Sequence, residues 1–306
     1  MARRVSRSKP KRAVPSSGRG RRAPARTRRP LVIVGFGRTG GALARGLQKS
    51  GWPVRIFPRS GESTRRAAAF RLPLADHDAL QQAEICILAV PDNAVPLAAK
   101  MLQADLGPQT ALVHCSGALD LSAFGSEPGI LERPRGSFHP LVAISDPEDD
   151  LSGHSVAVSA TTDQLHGVLL VMAKELGLSP LEVPESGRAA YHAGAVLAAA
   201  GVVALASAAA AAFAQAGIDE ATGLAALLPL MRSALSGVER RGLSRALTGP
   251  IIRGDVSVIR SHLDALPSEL RGLYRDLAFR ALWLVRSQLP KETRIAVEQG
   301  LNITAG

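Results

Sequence analysis

Cysteine is nearly absent from this chain: Cys86 and Cys115 are the only two in 306 residues. A disulfide framework or a zinc knuckle needs more of them, so both are expected as reduced core thiols of a cytosolic protein. The seven histidines show no H-x-x-x-H spacing and there is no C-x-x-C, so no metal site is expected. Residues 1–30 lack any acid and any aromatic side chain while holding twelve Arg or Lys. Without aromatics such a segment cannot stack bases, and without an apolar run it cannot serve as a signal peptide. Its plainest reading is a solvated basic tail; the sharper one is an arm making weak polyanion contacts.

The net charge of +11 therefore misleads. Setting the twelve tail residues aside leaves 25 basic against 26 acidic side chains, so the remaining chain is close to neutral. Charge is missing altogether from Ala189 to Ile218, a stretch long enough to span a bilayer. It consists mostly of Ala and Gly and includes His192, Ser207 and Gln215, so a helix in a helical core or a dimer interface is expected rather than a membrane span.

What is present begins at Leu31-Val32-Ile33-Val34, which runs directly into Gly35-Phe36-Gly37-Arg38-Thr39-Gly40. A G-x-G-x-x-G that leaves a strand and opens a helix is a dinucleotide-binding fingerprint. Gly35 permits the tight turn, Gly37 lets backbone approach a pyrophosphate, and Gly40 lets helix and sheet pack closely. Helix-start N–H groups then face the phosphates.

Beyond the loop, periodicity predicts a helix over 40–50 ending at Gly51, and a second strand over 53–57. A helix over 64–70, an extended piece near 71–74 and a buried strand over 85–90 follow. Asp92 or Asn93 is the expected cap of the next helix. Strands are expected over 111–114, 136–139, 155–159 and 181–183, with a helix capped by Thr162. This alternation predicts a parallel, doubly wound sheet over 31–184. From 185 to the end only helical patterns appear, over 187–216, 219–237, 239–246, 255–265, 267–288 and 291–300, with Asp219 and Asp255 as caps. The expected fold is an N-terminal Rossmann domain followed by an all-α domain.

The second strand ends Ile56-Phe57-Pro58-Arg59-Ser60, where an acid would select NAD(H). With none there, Arg59 and Ser60 fit a 2′-phosphate, Arg38 adds a second cation, and NADP(H) is expected over NAD(H). Ligands of open α/β sheets lie off the carboxyl ends of the strands. Val90 and Pro91 are placed to line the cofactor there. Ser116, in His114-Cys115-Ser116-Gly117, offers a hydroxyl to orient a substrate, and His139 follows the next strand. His192 opens the long helix; it and His139 are the candidate proton carriers, because imidazole titrates near neutrality.

The chain resembles the family of Rossmann-like oxidoreductases that carry a C-terminal domain of unknown function numbered 2520. These are relatives of the 6-phosphogluconate dehydrogenase, pyrroline-5-carboxylate reductase and deazaflavin-dependent NADP reductase groups. Gly35–Ala44, Ala89–Val95, His114–Leu119, His139-Pro140-Leu141, Tyr191-His192-Ala193 and the T-G-P-x-x-R-G-D stretch Thr248–Asp255 carry the resemblance. It implies NADP(H) binding, a helical domain like that of 6-phosphogluconate dehydrogenase serving for dimerisation, and a substrate cleft between the domains. Two departures matter. The related hydroxyacid dehydrogenases carry a catalytic Lys and Asn on the helix over 187–216, and this chain has neither there. Ala199-Ala200 also stand where the family pattern has Ser-Asn. Thr248–Asp255 reads either as a turn with a local ion pair and an Asp cap, or as a means for Arg253 to reach a carboxylate.

Together these readings point to a cytoplasmic, homodimeric NADP(H)-dependent oxidoreductase acting on a small carbonyl, imine or hydroxy acid, with no membrane association. The alternatives are a non-catalytic NADP-binding sensor or scaffold, and a polyanion-binding protein acting through the tail.

Overall fold

The computed structural model describes residues 30–302; the basic tail, and with it any polyanion contact, lies outside the described residues. The chain forms two compact units. Among the described residues the first comprises 30–116, Leu121–Pro140 and Ile144–Leu181, and the second Gly117–Asp120, Leu141–Ala143 and 182–302.

The first unit is built on a seven-stranded sheet in the order β2-β1-β3-β4-β5-β6-β7. In chain order it runs β1 Leu31–Val34, α1 Arg38–Lys49, β2 Val54–Phe57, α2 Gly61–Ala69, α3 His77–Gln82 and β3 Ile85–Leu88. There follow α4 Val95–Leu102, β4 Ala111–His114, α5 Pro128–Leu131, β5 Arg135–Leu141, β6 Ser155–Ala160, α6 Asp163–Glu175 and β7 Ser179–Leu181. β1, β3 and β4 bury every residue, as strands covered on both faces must. Their parallel register sets Val34 beside Phe57 and Leu88, and Leu88 beside His114, so β1–β4 end on one edge.

Three local expectations change. The piece near 71–74 contributes a single bridge from Leu74 to Ile56, because Arg71 takes a left-handed φ of 54° that breaks any strand. α3 carries too short an apolar pattern to stand out in the sequence, yet Asp76 caps it by accepting from the Ala79 N–H at 2.8 Å. The sheet, doubly wound as expected, is mostly rather than wholly parallel. Thr161 N–H donates to the Arg135 carbonyl while Ser137 faces Ser159, a descending register that runs β6 against β5. β6 and β7 are parallel to one another.

Arg133 is buried where β5 begins and donates to the carbonyls of Gly107, Gln103, Leu106 and Gly129. Its guanidinium thus closes loops that would otherwise bury bare carbonyls. Cys86 is buried in β3 and Cys115, half-buried, follows β4; desolvation pushes both thiols up to about 12.

The second unit is helical: α7 Arg188–Ala198, α8 Ala200–Gln215, α9 Glu220–Arg241, α10 Leu243–Ala246, α11 Pro250–Arg253, α12 Val256–Ala265, α13 Ser268–Val285 and α14 Lys291–Asn302. The single helix expected over 187–216 is two. Ala199, at φ −109° and ψ −80°, interrupts it. A Cβ on Gly201, just past the break, would stand 3.6 Å from the Val196 carbonyl oxygen, an ordinary contact. α9 is continuous to Arg241 despite Pro229, and Asp219 caps it through the Thr222 N–H as expected. Ile251, Ile259, Leu263, Leu282, Val297 and Leu301 form the core of α11–α14.

Asp255 is not the side-chain cap of α12; its carboxylate accepts from Arg253 Nε at 2.7 Å instead. Gly249 and Gly254, both at positive φ, bracket α11, and a Cβ on Gly254 would lie 2.4 Å from Thr293. The T-G-P-x-x-R-G-D stretch therefore folds as a packed turn with a local ion pair.

Candidate functional site

The three loop glycines do three different things. Gly35 turns at φ 92°, and a Cβ there would meet the Ala89 carbonyl oxygen at 2.7 Å. A Cβ on Gly40 would meet the Gly35 carbonyl at 2.4 Å, so α1 packs onto the loop at the limit of contact. A Cβ on Gly37 would meet nothing within 4 Å. Gly37 is the N-cap of α1 and has no side-chain cap, leaving the first N–H groups of a twelve-residue helix to a ligand. Phe36 is buried against Phe70, with ring centroids 5.8 Å apart, which fixes the loop from beneath. Thr39 is half-buried, and Arg38 is exposed.

At the end of β2, Ser60 is the N-cap of α2 and accepts from the Ser63 N–H at 3.2 Å. The helix thus starts three residues earlier than the periodicity suggests, with Arg59 and Ser60 exposed at its mouth. Among the described residues no ion pair or hydrogen bond engages the guanidinium of Arg38 or Arg59. Past β3, Val90 lies 3.5 Å from where a Gly35 Cβ would be, and Pro91 opens a 3₁₀ turn over Asp92–Ala94.

That turn corrects the expected cap. Ala94, not Asp92 or Asn93, is the N-cap of α4. Asp92 instead accepts a hydrogen bond from Ser116 Oγ at 2.8 Å. Ser116 N–H donates to His114 Nδ1 at 3.3 Å, and the His114 ring packs on Phe124. Asp92 falls in the segment Ala89–Asn93 expected to line the cofactor, but its pairing with Ser116 is not legible in the sequence. Its position off the end of a buried strand was visible, but the approach of β4 beside it was not.

His139 is half-buried in β5, two residues and one face repeat beyond Ser137, whose neighbour across β4 is His114. Ser116 thus follows β4, whereas His139 lies within the adjacent β5 and not past its end as expected. His192 belongs to the second unit, half-buried on α7 one turn beyond Arg188. Arg188 is fully buried and pairs with Glu185 at 3.3 Å. Burial raises the Tyr191 hydroxyl above its ordinary pKa, and the Arg188 charge opposes that.

The glycine loop and the strand order define the class of fold: a Rossmann-like α/β domain. Residues 30–116 match the family described as NADP oxidoreductase, coenzyme F420-dependent, and residues 154–281 match the domain of unknown function 2520. Each segment is similar to its own family, and neither match spans half of the chain. No curated protein matches the chain.

Among solved structures, the chain is similar to a candidate NADP oxidoreductase from Bacteroides fragilis. The TM-score is 0.70 at 22% identity, over 83% of this chain and 98% of that one. A protein from Thermotoga maritima aligns at a TM-score of 0.64 and 22% identity, over 84% and 99%. Pyrroline-5-carboxylate reductase from Streptococcus pyogenes aligns at 0.54 and 17%, over 90% and 97%. At these identities the likeness is one of fold.

Proposed function

We propose that the chain is an NADP(H)-dependent oxidoreductase that transfers hydride to or from a small carbonyl, imine or hydroxy acid. The observation carrying this is the division of labour among Gly35, Gly37 and Gly40. Two of them close the loop by contacts that forbid a side chain, and the third keeps open space at an uncapped helix start. That is the cradle a pyrophosphate needs. Gly35, Phe36, Gly37, Arg38, Thr39 and Gly40 would hold the diphosphate. Arg59 and Ser60 would hold the 2′-phosphate, and Val90 and Pro91 would line the ribose and nicotinamide. The bound nicotinamide would supply the hydride chemistry; the protein orients the substrate through Ser116 and exchanges a proton through His192 or His139.

The substrate is a small molecule, and the setting cytoplasmic. A homodimer through α7–α9 fits the apolar side chains those helices leave uncovered, with Leu197 74% and Val203 71% exposed. The stretch 185–215 and α9 are long and apolar enough to cross a membrane. However, the break at Ala199 leaves helices of 11 and 16 residues, each shorter than the roughly 20 a span requires.

The absence of Lys and Asn on α7 and α8 keeps a cofactor-binding sensor as the second reading. Thermal denaturation with NADPH and NADH tests the cofactor assignment. NADPH should stabilise the chain more, and Arg59→Ala should weaken NADPH at least tenfold while leaving NADH unchanged. Turnover of NADPH, lost in His192→Ala, separates enzyme from sensor.

A further inference from the structure

The outward side of α13 is patterned. Glu269, Leu273, Asp276, Arg280 and Trp283 are all exposed and follow one another in steps of four and three, which sets them along one stripe of the helix. Trp283 keeps 49% of its surface open and Leu273 41%, with Leu277 flanking the stripe at 45%. Arg280 and Arg286 stack on the indole, their Cζ atoms 4.3 and 4.2 Å from its centroid. A stacked guanidinium leaves its N–H edge open to a carboxylate. Among the described residues no hydrogen bond or ion pair engages the Asp276 carboxylate.

The stripe is its own complement. From Leu273 to Trp283 its spacing is unchanged when read backwards, so an antiparallel copy sets 273 against 283 and 276 against 280. We propose that α13 pairs across a twofold axis with α13 of a second copy of this chain. Asp276 then meets the partner's Arg280, once on each side of the axis, and Leu273 packs on the partner's Trp283. Leu277 of each chain falls on the same side of the seam, close to the axis, and shields the ion pairs there. The two apolar layers supply contact area, and the two ion pairs fix register and direction. A parallel pairing would face acid with acid and guanidinium with guanidinium. A uniformly acidic partner would set its own charge against Asp276, and a lipid surface would strand both charges.

One pair of 18-residue helices covers less than the roughly 1,200 Å² at which stable interfaces begin, so this pairing is weak by itself. It uses a different helix from the α7–α9 contact proposed above and does not depend on it. The test is sedimentation velocity of the full chain at rising concentration. An association step is expected on the order of 0.1 mM, weaker in about 0.5 M salt. Asp276→Arg and Arg280→Asp should each weaken it at least about tenfold, because each chain then meets only like charge in its copy. An equimolar mixture of the two variants should recover the step, since one chain brings arginine at both positions and the other aspartate at both. A residue that merely supports the fold is not rescued by mixing.

The proposal falls if the parent shows no such step, or one indifferent to salt. It falls equally if either variant associates like the parent, or if mixing recovers nothing. Leu197→Asp keeps the two interfaces apart: the step should persist there, now joining monomers. A step lost in Leu197→Asp belongs to α7–α9 and overturns its assignment to α13.

Discussion

The two units spend the same kind of apolar side chain differently. β1, β3 and β4 bury all their residues inside a sheet that its own helices cover. In the second unit only 6% of the most apolar part of residues 185–215 is buried, and Leu197, Val203 and Leu230 stand out from the surface. A sheet flanked by its crossover helices completes its own core. A pair of Ala-rich helices with apolar residues all round does not, and must be completed from outside. The first unit is therefore self-sufficient, and the exposed apolar side chains of the second are what the proposed homodimer would cover.

The largest effect that would break this contrast lies in the glycine loop. Gly40→Ala drives a methyl into the Gly35 carbonyl and should cost about 1–3 kcal/mol in urea denaturation, with NADPH binding lost. Gly37→Ala should lose NADPH binding as well, yet stay within about 0.5 kcal/mol of the parent because its Cβ meets nothing. Equal destabilisation by both would mean that Gly37 is structural. A smaller effect is expected in the second unit. Leu197→Asp should convert dimer to monomer in light scattering with little change in far-UV circular dichroism or thermal midpoint. A parent chain that is monomeric at high concentration would defeat the dimer reading.

The smallest effect is electrostatic. Backbone N–H groups of Asp146 and Ser145, with the Ser145 hydroxyl, hold the Asp149 carboxyl below the usual aspartate range. A depressed folded pKa contributes stability that is present above the unfolded value and lost as pH falls through the folded one. Denaturation midpoints followed from about pH 5 down to about pH 2 should therefore decline less steeply in Asp149→Asn.

Much of the first unit was legible because its signals are local. The apolar run into Gly35, the C′ glycine at 51 and the Thr162 cap each fix an element through neighbours in sequence. The reversal at β5 and β6 was harder to see, since direction is set by partners 22–26 residues apart, as in Ser137 with Ser159 and Arg135 with Thr161. The alternation in Ser155–Ser159 was its only trace. The break at Ala199 carries no proline and sits in alanine, the residue least inclined to end a helix. The candidate site divides the same way: the glycine turn announces itself locally, whereas the bond from Ser116 to Asp92 depends on β4 lying beside β3.

Ser60 has a consequence for how this lineage could change cofactor. Ser60 follows β2 and its hydroxyl caps α2, so under the proposed cofactor assignment a replacement there is judged by folding as well as by binding. Aspartate is as good a cap as serine, and at this position its carboxylate would repel a phosphate and accept ribose hydroxyls. One exchange could thus turn the protein from the phosphorylated nucleotide towards the plain one without passing through a less stable intermediate. Cofactor choice here stands on evolutionarily level ground.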